Sequence, residues 1–258
     1  MTSLNWSVAN SKLKKLYKHR DGKLSEWLNV KHGRKHAQVY SLDLQSGVSC
    51  PMAKHCFSVA REREDGTRFI EDGKHTSFRC FSASQEAQYT GVYRKRRDNF
   101  ETLRPLDRGQ IATLLHDTLP LDAGIVRAHV AGDFFKEDYF RAWLDLAIAR
   151  PNVLFYAYTK MLNLWVKHRP RVERVPNFVL TASRGGKLDH LIDCEGLREA
   201  RVILSPDQAC ELGPIDDDDS HAADPASRHN SFRLLIHGTQ PPGSEASKAL
   251  QILKKARV

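Results

Sequence analysis

Regular alternation between apolar, β-rich runs and amphipathic stretches is the feature that most constrains the fold of this chain. Six apolar runs lie at residues 39–44, 126–130, 153–158, 178–181, 202–204 and 232–236. A helical stretch at residues 136–149 places Phe140 and Trp143 on one face. Strands that alternate with helices form parallel sheets covered by helices. We therefore predict an α/β fold, a parallel-stranded partial (β/α) barrel of about six strands, because no glycine-rich dinucleotide motif follows the first run.

The distribution of charge and cysteine suggests how the chain is organised. Residues 1–37 form a basic N-terminal segment, and residues 38–258 read as a single α/β domain. Within that domain we expect a cysteine-bearing insertion at residues 46–100. An acidic loop at residues 212–230 carries four consecutive aspartates.

Polar residues directly follow three successive predicted strands. They are Asp133, Lys160 and Arg184. Ligands bind at the carboxyl ends of parallel strands, so these side chains are expected on one rim of the sheet. Gly132 precedes Asp133 and allows a ligand to approach the backbone closely. We predict that Gly132, Asp133, Lys160 and Arg184 bind a cofactor; the alternative for Asp133 is a helix N-cap.

Three of the five cysteines, Cys50, Cys56 and Cys80, crowd into one polar stretch. An odd number of cysteines in a chain without a secretory signal argues against a disulfide framework. Three thiolates can hold three irons of a [4Fe–4S] cluster and leave the fourth iron open. Zinc is the alternative, with His55 or His75 as fourth ligand. The spacing is not that of standard zinc fingers, which favours iron–sulfur over zinc, and three unrelated cysteines remain the simplest alternative.

The chain carries a formal charge of +9, and the basic residues are clustered. Basic blocks neutralise phosphates, so we predict contacts to a nucleic acid or nucleotide. The predicted contact residues are Lys12, Lys14, Lys15, Lys18, Arg20, Arg94, Lys95, Arg96 and Arg97. A solvated basic face is the alternative. No apolar run is long enough to cross a membrane, and the N-terminus lacks the order of a secretory signal, so we expect a cytoplasmic protein without a membrane partner.

Four segments resemble the bacteriophage gene-product-eighty-eight family. They are GVSCP at residues 47–51, RAHVAGDFF at 127–135, YTK at 158–160 and HGTQPPGS at 237–244. The resemblance extends over about residues 10–255. It implies a phage protein that works in the host cytoplasm, and it implies no particular activity.

A broader similarity connects the chain to the radical S-adenosylmethionine enzymes. A cysteine loop follows the first strand, and a later strand ends in a glycine and an acid. The similarity implies that Cys50, Cys56 and Cys80 hold the cluster and that Gly132 and Asp133 contact the amino group of the methionine. The pattern differs in the cysteine spacing, in the acid, in Ala131, which replaces the first glycine, and in the long segment between the first strand and the glycine–acid strand. The cysteine spacing is C-x5-C followed by Cys80 after 23 residues, where the family has C-x3-C-x2-C, and the acid is an aspartate.

These observations lead to two functional hypotheses from different classes. The first is a radical S-adenosylmethionine-like enzyme that acts on a nucleic acid or a nucleotide, with S-adenosylmethionine as cofactor and a separate protein as electron donor. The second is a zinc-stabilised, non-catalytic nucleic-acid-binding protein. An interaction protein that acts on a host factor is a third option.

Overall fold

A seven-stranded sheet forms the centre of this computed structural model, which describes residues 3–255 apart from the side chains of residues 210–212. The strands in chain order are β1 (Trp6–Val8), β2 (Lys31–His32), β3 (Lys35–His36), β4 (Gln38–Leu42), β5 (Ser58–Glu62), β6 (Arg68–Asp72), β7 (Ala123–Ala128), β8 (Leu154–Thr159), β9 (Phe178–Ser183), β10 (Glu199–Ile203) and β11 (Phe232–Leu235). The sheet order is β1-β4-β7-β8-β9-β10-β11, while β2 pairs with β3 and β5 with β6 as separate hairpins.

Six strands of the large sheet are parallel and lie side by side in the order of the sequence. Each contains or overlaps one of the six predicted apolar runs, which confirms the α/β fold with a mostly parallel sheet. The seventh strand, β1, was not predicted, because three residues are too few to show a pattern. It runs antiparallel to β4, with Trp6 opposite Leu42. The sheet is open, with β1 and β11 at its two edges.

Helices lie in the segments that connect the strands. They are α1 (Ser25–Leu28), α2 (Phe81–Gln88), α3 (Thr90–Leu103), α4 (Arg108–Thr118), α5 (Glu137–Ala149), α6 (Leu162–Lys167), α7 (Arg169–Glu173), α8 (His190–Cys194), α9 (Asp207–Leu212), α10 (Ser220–Ala223) and α11 (Glu245–Lys255), with 3₁₀ turns at Leu13–His19 and Pro225–Ser227. Within residues 3–255, none of these helices combines the length and apolar character that crossing a membrane requires.

Both faces of the sheet are buried, which explains why its strands consist mostly of apolar residues. On β7, Val126 packs into the larger core with α4 and α5. Its neighbour Ile125 points to the other face and packs into a second core. Leu13 and Leu16 of the N-terminal segment and Ala222 of α10 complete that second core. The basic N-terminal segment and the acidic loop therefore cover one face of the sheet together.

Candidate functional site

The loop after β4 carries Cys50 and Cys56, and the hairpin β5–β6 separates them from Cys80 at the start of α2. After the hairpin, the chain returns to the residues that precede β5. The Gly73 amide donates to the carbonyl of Phe57 at 2.9 Å, and the Cys80 amide donates to the Ser58 hydroxyl at 3.3 Å. The 23 residues between the second and third cysteines therefore form a side excursion that returns Cys80 to the cysteine loop.

A cavity of about 190 Å³ lies at the carboxyl ends of the parallel strands, and all three cysteines line it. Among its other lining residues are Gly132, Asp133, Lys160, Arg127, Tyr158 and His237. The structure thus brings together six of the seven residues predicted to bind the cofactor or the metal. The seventh, Arg184, is not part of the lining. Its guanidinium pairs with Glu199 and, at 2.6 Å, with Asp193, and the hydrogen bond to Asp193 is the main reason why its pKa is raised.

The three thiols affect one another electrostatically. Burial raises the pKa of Cys50 well above its ordinary value, and Asp133, Cys80 and Cys56 raise it further. Burial also raises the pKa of Cys80 to about 11, and Cys56 adds to that shift. A coordinated metal deprotonates a thiol because its positive charge stabilises the thiolate. Burial therefore favours the thiol form of Cys50 and Cys80, whereas a bound metal centre would favour the thiolate form.

Lys160 places a cation beside the cysteines. The residue is only 9% exposed, and its ammonium donates to the Ser183 hydroxyl at 2.6 Å. Burial lowers the pKa of Lys160, but the three cysteines and Asp133 raise it more, and the net direction is upward. Lys160 is therefore a cation whose charge offsets negative charge in the cavity.

Asp133 is buried and connects the segment after β7 to the end of β8. Its Oδ1 accepts hydrogen bonds from the Phe134 amide at 2.7 Å and the Thr159 hydroxyl at 2.6 Å, and Oδ2 accepts from the Lys160 amide at 2.8 Å. Burial raises the pKa of Asp133, against the effect of these bonds. The helix-cap alternative is wrong, because α5 begins at Glu137 and its N-cap is Lys136.

Gly132 lies where the chain after β7 approaches the cysteine loop. Its φ is +94°, and a Cβ at this position would lie 2.7 Å from both the Leu44 Cβ and the Ser49 Oγ. We predicted that Gly132 lets a ligand approach the backbone closely. In the structure, the protein's own loop next to Cys50 approaches Gly132 in this way. The chain packs there without room for a side chain, and that packing fixes the Gly132–Asp133 segment against the cysteines.

Sequence reasoning missed two polar residues of β7 and the segment after it. Arg127 lines the cavity, and its guanidinium pairs with the buried Asp219 at 2.6 Å. His129 lines it too, with φ +78° and with Nε2 at 3.0 Å from the Tyr139 hydroxyl. Burial, helped by Arg127, lowers the pKa of His129 to about 3, so the ring is neutral. An arginine and a histidine within the otherwise apolar run at residues 126–130 were the available signal.

The metal site itself, and whether it would hold iron–sulfur or zinc, stays a prediction. Among residues 3–255, no group of three or more His, Cys, Asp or Glu side chains is arranged to hold a metal ion. The fourth ligands named for zinc, His55 and His75, do not line the cavity. The structure does place Cys50, Cys56 and Cys80 in the lining of the same cavity.

The acidic loop contacts two of the N-terminal residues predicted to bind nucleic acid. Lys12 pairs with Asp219 at 2.7 Å, and Lys15 pairs with Asp217 at 3.1 Å. Arg20 donates to the backbone carbonyls of Leu28 and Ala37. Lys14 and Lys18 are exposed. The loop therefore reduces the charge that the N-terminal segment offers to a phosphate backbone.

The second basic block, residues 94–97, is only partly exposed. Arg96 is 4% exposed and pairs with the buried Glu86 at 3.2 Å, so its assignment as a nucleic-acid contact is wrong: the helix α3 turns this side chain inward. Lys95 donates to the Trp6 carbonyl at 2.7 Å, and Arg97 lies 3.8 Å from Glu62. Arg94 is exposed.

Comparison with known proteins identifies the family and no activity. No curated protein and no solved structure matches this chain. A family model described as Gene product 88 matches residues 6–254, a range that includes every residue of the cavity described above. This match confirms the resemblance to the phage family that the sequence segments indicated, and the chain belongs to the Gene product 88 family.

Proposed function

We propose that this protein is an iron–sulfur enzyme of the radical S-adenosylmethionine type that acts on a nucleic acid or a nucleotide. One observation carries the proposal: Cys50, Cys56 and Cys80 line a single cavity at the carboxyl ends of six consecutive parallel strands. Ligand sites of parallel α/β folds lie at that edge. Three thiolates on a [4Fe–4S] cluster leave one iron for a further ligand.

The neighbouring residues suit such a cluster. Three thiolates bring negative charge into the cavity, and the Lys160 ammonium offsets part of it. Asp133 uses Oδ1 for two hydrogen bonds and Oδ2 for one, so Oδ2 keeps an acceptor position for the amino group of the methionine. When bound, the cluster would supply the electron for reductive cleavage of S-adenosylmethionine, and a separate electron donor would restore it. The reducing host cytoplasm keeps the thiols available.

Metal and sulfide analysis of anaerobically purified protein tests the proposal. We expect a brown protein with about four irons and four sulfides per chain. Replacing Cys50, Cys56 or Cys80 with serine should remove most of the iron. Cys194→Ser is the matched control, because Cys194 is exposed on α8 and outside the cavity, and it should keep the full content. Colourless protein with one zinc per chain would instead establish the non-catalytic zinc alternative, and metal-free protein would exclude both.

The S-adenosylmethionine part has its own test. Iron-loaded protein reduced with dithionite should convert S-adenosylmethionine to 5′-deoxyadenosine and methionine, and the Asp133→Asn variant should bind the cofactor more weakly. If iron-loaded protein neither binds nor cleaves S-adenosylmethionine, the radical S-adenosylmethionine part of the proposal is wrong and the cluster has another role.

The nucleic-acid part depends on the exposed cations Lys14, Lys18 and Arg94. Each phosphate contact contributes about −0.9 to the slope of log affinity against log salt on duplex DNA. Replacing all three with alanine should therefore flatten that slope by up to about 2.7. Binding of short DNA and RNA is measured from about 50 mM to physiological salt. If no binding is detected at the lowest salt, nucleic acid is removed from the candidate substrates and nucleotides remain.

A further inference from the structure

The cavity is also lined by residues of the parallel strands and of the segment after β11. Arg127 projects into it from β7. The other residues of this set include Tyr158, Val202, Leu234, Ile236 and His237. The set combines one arginine with mostly apolar side chains. Small-molecule sites have that composition: apolar surface for the body of the ligand and a few fixed polar groups for its orientation.

Arg127 is held in one position by three contacts. Its Nη1 pairs with the Asp219 carboxylate at 2.6 Å, Nε donates to the His129 carbonyl at 3.1 Å, and the guanidinium carbon lies 4.7 Å from the centroid of the Tyr158 ring. Nη2 has no hydrogen-bond partner among residues 3–255, and the Arg127 side chain is 15% exposed. The Nη2 end of a fixed guanidinium therefore remains accessible in the cavity.

Asp219 does not neutralise this part of the site completely. It is fully buried, has φ +63°, and accepts a hydrogen bond from the Tyr156 hydroxyl at 2.9 Å. The same carboxylate also pairs with Lys12 at 2.7 Å, so a single negative charge is shared between the Arg127 and Lys12 cations. The acidic loop therefore contributes to the cavity, because the carboxylate of its Asp219 orients Arg127.

We infer that Arg127 binds a carboxylate or phosphate group of the substrate, and that the substrate is a small organic anion, such as a nucleotide, that lies against Tyr158 and Ile236. The inference rests on the proposed function, because it names the substrate class of that site. The N–H groups of the free Nη2 can donate charge-assisted hydrogen bonds to the oxygens of a carboxylate or a phosphate. Because Arg127 is already fixed, little conformational entropy is lost when it binds an anion.

Isothermal titration calorimetry of the full chain with inorganic phosphate and with succinate tests the inference. At least one of the two anions should bind with a Kd of about 1 mM or tighter. Which of them binds distinguishes a phosphate-bearing from a carboxylate-bearing substrate. Arg127→Lys keeps a charge beside Asp219 but loses the planar donors, and it should weaken binding about tenfold or more. Arg108→Gln, which removes an ion pair with Asp145 outside the cavity, should leave the affinity unchanged.

Circular dichroism and thermal unfolding establish that the variants fold, and Arg127→Gln serves as the second variant. The inference is wrong if neither anion binds the wild-type protein, or if folded Arg127→Lys binds as tightly as the wild type. The same titration on Cys56→Ser protein separates the two proposals. Anion binding there without iron supports the subsite on its own, whereas iron-loaded protein that binds neither anion rejects only the subsite.

Discussion

The carboxylate of Asp133 accepts a hydrogen bond from the hydroxyl of Thr159 at 2.6 Å, which ties the segment after β7 to the last residue of β8 beside the cysteine cavity. The Thr159 oxygen also accepts from the Met161 amide at 2.9 Å. Both residues are buried. A buried carboxylate that loses a donor keeps the cost of desolvation without the compensating bond.

Replacing Thr159 with valine should therefore lower the free energy of unfolding by about 1–3 kcal/mol. Thr159→Ser keeps the hydroxyl and removes one methyl group, so it should cost only about 1 kcal/mol. Urea unfolding of the two variants measures the difference. Equal losses would mean that packing of the methyl group, and not the hydrogen bond to Asp133, stabilises this edge of the sheet.

Gly132 should not tolerate a side chain. Alanine at this position places a Cβ 2.7 Å from Leu44 and Ser49, at a φ of +94° that L-residues rarely adopt. We expect Gly132→Ala to lose about 2–5 kcal/mol of stability, from overpacking and backbone strain together. Gly91→Ala is the control, because its Cβ meets nothing within 4 Å on α3, and it should change stability by no more than about 1 kcal/mol. A Gly132→Ala variant as stable as Gly91→Ala would contradict the close approach.

The strands and one rim of the site could be predicted because they obey local rules. Strands buried on both faces are continuous apolar runs, and the carboxyl-end rule located Asp133 and Lys160 from their positions after β7 and β8. Arg127 could not be located in this way, because it lies inside a strand and its partner Asp219 is 92 residues away. Pairing between distant charges depends on the folded topology, and a count of basic residues does not reveal it.

The basic block at residues 94–97 shows the same limit and gives a prediction. Arg96 pairs with Glu86, which is fully buried, and its Nη2 lies 3.9 Å from an oxygen of Asp43. Arg96→Ala leaves a buried carboxylate without its cation and should cost about 3–5 kcal/mol. Arg94→Ala, two residues earlier and exposed, should change stability by no more than about 0.5 kcal/mol. Denaturant unfolding of both variants checks the contrast, and similar values would mean that Arg96 is not buried as described.

An ion pair on the opposite side of the sheet from the acidic loop predicts a pH dependence. Asp145 of α5 accepts two hydrogen bonds from Arg108 of α4, at 2.6 and 2.7 Å, and also contacts Arg171. Burial raises the pKa of Asp145, but the two arginines lower it more, and the net direction is downward. The ionised form is therefore favoured by folding. Its contribution is present above the unfolded-state pKa of about 3.9 and is lost as the pH falls through the lower folded-state value.

Asp145→Asn should accordingly lower the free energy of unfolding by about 1 kcal/mol at pH 7, a modest value because both partners are partly exposed. The difference from the wild-type protein should shrink as the pH falls below about 4, because the unfolded wild-type chain then binds a proton at this carboxylate, and the folded protein does so at still lower pH. Asp117→Asn is the control, since Asp117 is exposed and contacts only its neighbour His116 among the described ion pairs. Urea unfolding at a series of pH values measures both variants. A deficit for Asp145→Asn that is as large at pH 3 as at pH 7 would show that packing around the carboxylate, and not its charge, joins α4 to α5.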